Sequence, residues 1–456
     1  MPEPITHVEP PGDARPGASV ELDIRDLNSQ GDGVGRAGEL VVFVPGALPG
    51  ERVLARIERR RRSHGEARLV ELVARSPSRI DPPCPHQSAC GGCPLMVQEG
   101  TAALRSKVEH LEQTFRRVGG LALRVDRVVP SPTGLRYRGR VRFAVGGSKG
   151  APRLGFRPRG RPRDLVDVAD CLIAPDGATA LAGRFLQTLS RVTVGDGRPW
   201  PRELEVRHST ARGSRLVVVH GPQGRWPEAH AAARDLVDRE TSVAGVVLVT
   251  RSARGAPPRE LVLAGRATIV ETVAGFDVEI GATTFVQVNP RAAELLYRRV
   301  AEDLGRRPGG RLFDLYCGLG LVGLVAGDER CDVVGVESHA GSVRAARRAV
   351  RAAGRERIEI LRGDAVMEAE RLAALGETFE RIAVNPPRAG MSPRLPDALS
   401  RLGAQLIVVV SCHPAALARD VAKLEALGFR PQHVTAVDMF PHTAHLEAIV
   451  RLEAAP

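Results

Sequence analysis

Hydrophobic and polar residues change their period several times along the chain, and each change marks a new kind of element. From Ala18 to about Val73 short alternating runs read as strands, at 19–24, 39–44, 53–57 and 67–73, with Gly31, Gly33, Gly35, Gly46 and Gly50 between them. Strands this short and closely spaced predict a small barrel of OB type. Ser76-Pro77-Ser78 closes the segment. Leu104 to Val118 has helical spacing, and from about Val125 to Ile280 the chain returns to short strands with frequent Gly and Pro, which predicts a mostly β central region. At Asn289-Pro290 the pattern becomes a helix, Arg291 to Leu304. After Pro308-Gly309-Gly310, strands alternate with helices: 312–316, 333–337, 358–361, 381–384, 406–410, 433–438 and 446–451. That alternation predicts a parallel, doubly wound α/β sheet. A short loop joins the last two strands, so they must form an antiparallel hairpin at one side of it, because a parallel pair needs a long crossover. The expected organisation is a loose tail at 1–15, a barrel at 16–74, a β-rich central domain at 75–280 and an α/β domain at 281–456.

With 456 residues, 43% hydrophobic and 26% charged, the chain has a globular composition rather than a disordered one. Its apolar runs are strand-sized, well below the roughly 18 residues that span a bilayer. Met1-Pro2-Glu3-Pro4 lacks a leader pattern, so a cytoplasmic protein without a membrane partner is expected, with a monomer as the default. The formal charge of +12, from 65 basic and 53 acidic residues, favours an anionic partner such as nucleic acid. Only Lys107, Lys149 and Lys423 are lysines, and an arginine bias this strong also follows from GC-rich coding. Arginines cluster at Arg59 to Arg62 and in Arg136-Tyr137-Arg138-Gly139-Arg140-Val141-Arg142-Phe143. In the second cluster aromatics interleave with guanidiniums, a pattern suited to stacking on bases while phosphates are held.

The chemistry gathers at strand ends. Gly318-Leu319-Gly320-Leu321-Val322-Gly323 follows the first α/β strand, and Glu337 ends the second. Such glycines admit a ligand to the backbone, and such an acid accepts hydrogen bonds from ribose hydroxyls, which fits NAD or S-adenosylmethionine. Asn385-Pro386-Pro387-Arg388 and Ser411-Cys412-His413-Pro414 end the fourth and fifth strands. Glu447 opens the final, antiparallel strand, so it lies on the same rim as Cys412. A thiolate facing a carboxylate suits methylation at C5 of uracil. Attack by Cys412 on C6 makes C5 nucleophilic, and Glu447 then removes the C5 proton. Of seven cysteines, Cys84, Cys90 and Cys93 form C-x5-C-G-G-C, and Cys171 follows after a long excursion. Four thiolates can hold zinc or an iron–sulfur cluster. Cys317 and Cys331 read as packing residues.

At these residues the chain resembles the RNA uracil-5-methyltransferase family, S-adenosylmethionine enzymes that make 5-methyluridine in ribosomal or transfer RNA. The likeness covers nearly the whole chain. It rests on Phe285-Val286-Gln287-Val288-Asn289, Asp314-Leu315-Tyr316-Cys317-Gly318-Leu319-Gly320, Val334-Gly335-Val336-Glu337, the two strand-end motifs, and Asp438-Met439-Phe440-Pro441-His442-Thr443-Ala444-His445-Leu446-Glu447. The resemblance implies a Rossmann-like methyltransferase domain behind an RNA-holding TRAM barrel. It implies that Gln287, Tyr316, Gly318, Gly320, Glu337, Asp364 and Asn385 line the S-adenosylmethionine site. It also implies that Phe285 sits beside a flipped-out base, for which an ordinary core aromatic is the bland alternative. Arg138 and Arg388 are taken as contacts to the RNA. Cys84, Cys90, Cys93 and Cys171 would carry a [4Fe-4S] cluster with a structural role, zinc being the alternative, and that arrangement tilts the target toward large-subunit ribosomal RNA over transfer RNA. The chain departs from the family pattern at Asn385, where Asp is usual, and at His413 and Gly139, where Asn is usual or common. Competing readings are methylation of another RNA atom, an RNA-binding factor whose catalytic site has decayed, and an NAD-dependent oxidoreductase resting on the glycine loop alone.

Overall fold

The computed structural model describes residues 15–193, 199–224, 226–250, 258–305 and 309–455, so the expected tail lies almost wholly outside them. Strands β1 (Ser19–Asp23), β2 (Asp26–Leu27), β3 (Gly33–Ala37), β4 (Leu40–Val44), β5 (Arg52–Arg60) and β6 (His64–Ala74) make one sheet, ordered β1-β5-β6-β4-β3-β2. Alternation along them turns Val20, Leu22, Val42, Val44, Val53 and Ile57 into a common core. This is the barrel expected from the sequence.

The central part contains α1 (Gln87–Cys90), α2 (Gly100–Thr114), β7 (Arg127–Val129), β8 (Arg140–Gly147), β9 (Pro152–Phe156), β10 (Val166–Asp167), α3 (Ala178–Val192), β11 (Glu203–His208), β12 (Arg215–His220), α4 (Pro227–Arg239), β13 (Val243–Thr250) and β14 (Arg259–Gly265). Seven of the strands form a sheet ordered β10-β9-β8-β11-β12-β13-β14. The helices α3 and α4, which the reading of short strands passed over, bury Phe185, Leu189, Ala232 and Leu236 against Phe143 and Leu204 of the sheet. Strand alternation also corrects the reading of the arginine–aromatic segment. Tyr137 and Phe143 are buried, and Arg140 and Arg142 pair with the buried Glu205 carboxylate, so none of these aromatics is free to stack on a base. Arg159 from the β9–β10 loop grips Asp32 of the barrel with both ends of its guanidinium, at 2.7 and 2.8 Å. A hairpin, β15 (Thr268–Val273) and β16 (Phe276–Gly281), leads to the last domain.

That domain comprises α5 (Pro290–Leu304), β17 (Arg311–Leu315), α6 (Leu321–Ala326), β18 (Asp332–Glu337), α7 (Ala340–Ala352), β19 (Ile358–Arg362), α8 (Ala365–Ala374), β20 (Arg381–Val384), α9 (Leu395–Arg401), β21 (Leu406–Ser411), α10 (Pro414–Ala426), β22 (Phe429–Val437) and β23 (Glu447–Ala454). Its sheet runs β19-β18-β17-β20-β21-β23-β22-β7. Helices cover both faces, so strands such as β21, Leu-Ile-Val-Val-Val-Ser, are buried throughout. Strands β17 to β21 are mutually parallel, while β23 runs antiparallel to both β21 and β22. The sheet order reverses direction between β17 and β20, the switch point where open α/β sheets bind ligands. The outermost strand, β7, comes from the chain before the central sheet. The α2 segment packs with it on this domain, Leu111 and Phe115 joining the core around Phe313 and Leu417.

Candidate active site

Sheet register brings the two proposed reactive groups together. Ser411 of β21 pairs with Ala448 of β23, so Cys412 leaves the sheet at the point where Glu447 enters it. Glu447 is buried and its Oε2 has no hydrogen-bond partner. Burial pushes its carboxyl up to about 8, and Arg388, at the end of β20, is the charge that opposes the rise. Cys412 is half-buried; burial first, then the neighbouring Glu447, pushes its thiol up, while Arg388 draws it down by charge and by hydrogen bonding. An exposed guanidinium therefore stands where it can stabilise negative charge on either group. His413 caps α10 through Nδ1, which accepts from the Ala416 amide at 3.2 Å. That is the service an Asn side chain would perform at this position, so this departure preserves the turn after Cys412.

The loop after β17 is strained in the way a ligand cradle requires. Tyr316, Gly318 and Gly320 have φ of 59°, 56° and 74°, and a side chain on Gly318 would meet nothing within 4 Å. Glu337 holds the loop from the next strand, accepting from Gly318 N at 3.2 Å through Oε2 and from His339 N at 2.6 Å through Oε1. Asp364 caps α8 through Oδ1 alone, leaving Oδ2 free. Among the described residues, the side chains of Asn385 and Gln287 make no hydrogen bond within the chain, although Gln287 is buried. Polar groups left open around a backbone cradle fit a nucleoside bearing an amino-acid arm, the make-up of S-adenosylmethionine.

Residues 282–289 cross the rim from one side to the other. Thr283 meets His339 Nε2 at 3.3 Å, and Asn289 caps α5 while donating through Nδ2 to Ser131 Oγ at 3.0 Å and Met439 O at 3.4 Å. Phe285, between these anchors, is 60% exposed, which removes the core-aromatic reading. Gly139 lies behind the segment, where a side chain would meet Pro290 at 3.1 Å and His208 O at 3.2 Å; the glycine follows from that packing.

Cys84, Cys90, Cys93 and Cys171 are free thiols, all partly buried, and lie within electrostatic reach of one another. Burial pushes up the Cys90, Cys93 and Cys171 thiols, Cys93 to about 12. Backbone amides, of Gly92 at Cys90 and of Ile173 and Ala174 at Cys171, oppose that rise. Among the described residues no group of three or more His, Cys, Asp or Glu side chains stands in closed ligating geometry. Arg138 is the positive charge that opposes the rise at Cys93 and Cys171. Arg138 thus sits beside the cysteines, over the Tyr137 ring at 5.9 Å, and within reach of His445 near the catalytic rim. Cys317 and Cys331 are buried packing residues as expected. A separate cavity of about 690 Å³ beside the cysteine segment is lined by Arg153, Arg157, Arg161 and Arg163. What the sequence does not reveal are the contacts of Lys107, Tyr137 and Asn289, whose partners lie far away in the chain.

Family models match the chain in two places: TRAM domain at residues 13–70, and tRNA (Uracil-5-)-methyltransferase at 272–455. A Gloeobacter violaceus protein named an uncharacterized RNA methyltransferase is 33% identical across 97% of this chain and 98% of its own length. A Clostridium tetani protein of the same description is 27% identical, covering 95% and 96%. Among solved structures, the Pyrococcus abyssi tRNA (uracil-54, C5)-methyltransferase in complex with S-adenosyl-L-homocysteine matches with a TM-score of 0.72 at 24% identity, over 95% of this chain and 100% of that one. No helix among the described residues is long and apolar enough to cross a membrane.

Proposed function

Because this chain belongs to the RNA methyltransferase family, we propose that it methylates C5 of a uridine in RNA, with S-adenosylmethionine as donor and a covalent Cys412 adduct as intermediate. One observation carries this reading: a thiol and a buried carboxylate with a partnerless oxygen face the same rim, with one arginine between their charges. Methylation of a base nitrogen or a ribose hydroxyl needs no such pair.

When bound, S-adenosylmethionine supplies a methyl group made electrophilic by its sulfonium. Glu337 and Asp364 would hold its ribose and base end, and the Tyr316–Gly320 backbone, Gln287 and Asn385 would line the rest. Phe285 would stack against the extruded uracil. The Cys412 sulfur bonds to C6, and the electron pair so displaced makes C5 the nucleophile that accepts the methyl. Glu447 then takes the proton from C5, the C6–S bond breaks, and its electrons return to sulfur as thiolate. A carboxyl held near 8 is strong enough as a base for this proton. Arg388 stabilises the thiolate at both ends of the cycle.

Cys84, Cys90, Cys93 and Cys171 would hold a [4Fe-4S] cluster, or alternatively zinc, as a structural centre. Four protein ligands would leave no metal position open to substrate. The arginine-lined cavity supplies positive surface for the RNA backbone. Large-subunit ribosomal RNA is the substrate we favour. Transfer RNA is the second reading, supported by the named substrate of the Pyrococcus protein.

The test uses unmethylated ribosomal and transfer RNA tritiated at uracil C5, incubated with anaerobically purified protein and S-adenosylmethionine. Tritium should be released to water, and the RNA that releases it names the substrate. Cofactor binding without release from either RNA would refute C5 chemistry.

A further inference from the structure

The connection between β22 and β23, which ends at Glu447, is held from outside the catalytic domain's own strands. Four consecutive carbonyls each meet a donor from a different segment: Met439 O from Asn289 Nδ2 at 3.4 Å, Phe440 O from Lys107 Nζ at 3.0 Å, Pro441 O from the Tyr137 hydroxyl at 3.1 Å and His442 O from Leu95 N at 3.0 Å. A connection that formed only a loop would expose these groups to water.

Lys107, on α2, is the one charged group among the four donors. Its ammonium also donates to Asp438 Oδ1 at 2.8 Å, and both partners are nearly excluded from water, with side chains 2% and 12% exposed. From Phe440 O the contacts continue toward the base. The Thr443 hydroxyl donates to Phe440 O at 2.9 Å and accepts from His445 N at 3.2 Å, two residues before Glu447. The residue type supports the reading as well. Only three of the 65 basic residues are lysine, and this one sits where a carboxylate and a carbonyl converge on a single nitrogen. An ammonium serves that geometry with donors on one atom, whereas the planar fork of arginine spreads its donors apart.

We infer that Lys107 is a positioning residue for the proton-abstraction step, clamping the 438–446 connection so that Glu447 meets the C5 proton of the methylated adduct. The inference rests on the C5 reading above and deepens it: the clamp serves the second half of the reaction rather than cofactor binding or methyl transfer.

Three variants test it: K107M, K107R and the double variant K107M/D438N. The double variant removes both charges, so the fold is not asked to bury a lone ion. Folding is checked by thermal unfolding and cofactor affinity by titration. Turnover is followed as tritium release, and the covalent adduct is counted on denaturing gels with RNA. The double variant is expected to fold, to bind S-adenosylmethionine like wild type, and to release tritium on the order of 10- to 100-fold more slowly while methylated adduct accumulates. K107R is expected to keep the slow release, because charge alone does not restore the convergent contacts. Wild-type release rates in K107R or in the folded double variant overturn the inference, as does slow release without accumulated adduct. A merely structural role predicts that last result together with weakened cofactor binding. Absence of a Cys412-dependent adduct in wild-type control lanes instead sinks the C5 reading, and the clamp falls with it.

Discussion

Replacing Glu447 by Gln should make the protein harder to unfold at alkaline pH even as it stops turnover. Glu447 is fully enclosed and its carboxyl is raised from 4.5 to about 8. Below pH 4.5 folded and unfolded states both hold the proton. Between 4.5 and about 8 the unfolded chain releases a proton that the folded site retains, so stability falls as pH rises, by about 1.4 kcal/mol per unit. Above about 8 both states are ionised and the whole difference, on the order of 5 kcal/mol, counts against the fold. Gln cannot ionise and has nearly the same shape. It leaves an unpartnered polar atom, but so does the protonated acid, so that cost of about 1–3 kcal/mol cancels. Urea unfolding followed by circular dichroism, read for the α/β domain, should therefore give matching stabilities at about pH 4.5 and an advantage for the variant of roughly 2–5 kcal/mol at pH 8.5. With RNA and S-adenosylmethionine the same variant should transfer methyl once and remain covalently attached. A stability difference that stays flat with pH, or favours wild type, would refute the idea that Glu447 is held against its own ionisation.

Further outcomes follow from the same geometry. C412A should lose both turnover and the RNA adduct on denaturing gels, and residual uracil methylation would show that another group attacks C6. Tritium release by wild type should climb with pH through about 8, because proton removal needs ionised Glu447, and should go on rising beyond it, because burial and Glu447 push the attacking Cys412 thiol above its ordinary value; R388Q should move that rise to higher pH, since Arg388 holds both Glu447 and Cys412 down. F285A should weaken kcat/KM for RNA by about tenfold, the loss of one stacking platform, with S-adenosylmethionine affinity unchanged in a titration. C93S should abolish bound metal, assayed as iron and sulfide or as zinc on anaerobic protein, and should lower the thermal midpoint.

The α/β half was legible because its strands are covered on both faces and so read as unbroken apolar runs, β21 being the clearest. The placing of Cys412 and Glu447 on one rim was legible for a topological reason: a short connection makes β22 and β23 an antiparallel hairpin, so β23 runs against the parallel strands and starts at the rim where β21 ends. The segment Arg140-Val141-Arg142-Phe143 misled because its alternation was taken as a surface display. It is the alternation of a half-buried strand, with Val141 and Phe143 inward and the arginines turned to Glu205. The helix α3 was missed although Leu181, Phe185 and Leu189 are spaced for one face, because Gly and Pro on either side dominated the reading. Lys107 and Asp438 lie 331 positions apart, a separation that no periodicity can bridge. The only local hint was a lysine where this chain otherwise uses arginine.

The β7 strand carries a consequence for how the molecule is made. It pairs with β22, and the amide of Val434 reaches back 308 positions to Asp126. At translation rates of about 5–20 residues per second, β7 and the apolar face of α2 would wait on the order of 15–60 s for the strands that cover them. The barrel, closed by neighbours in sequence, has no such delay. A nascent chain would therefore carry a finished front domain and, beside it, Leu111 and Phe115 left uncovered until synthesis reaches the last strands. A fragment that begins after residue 281 would likewise leave the outer edge of β22 unpaired.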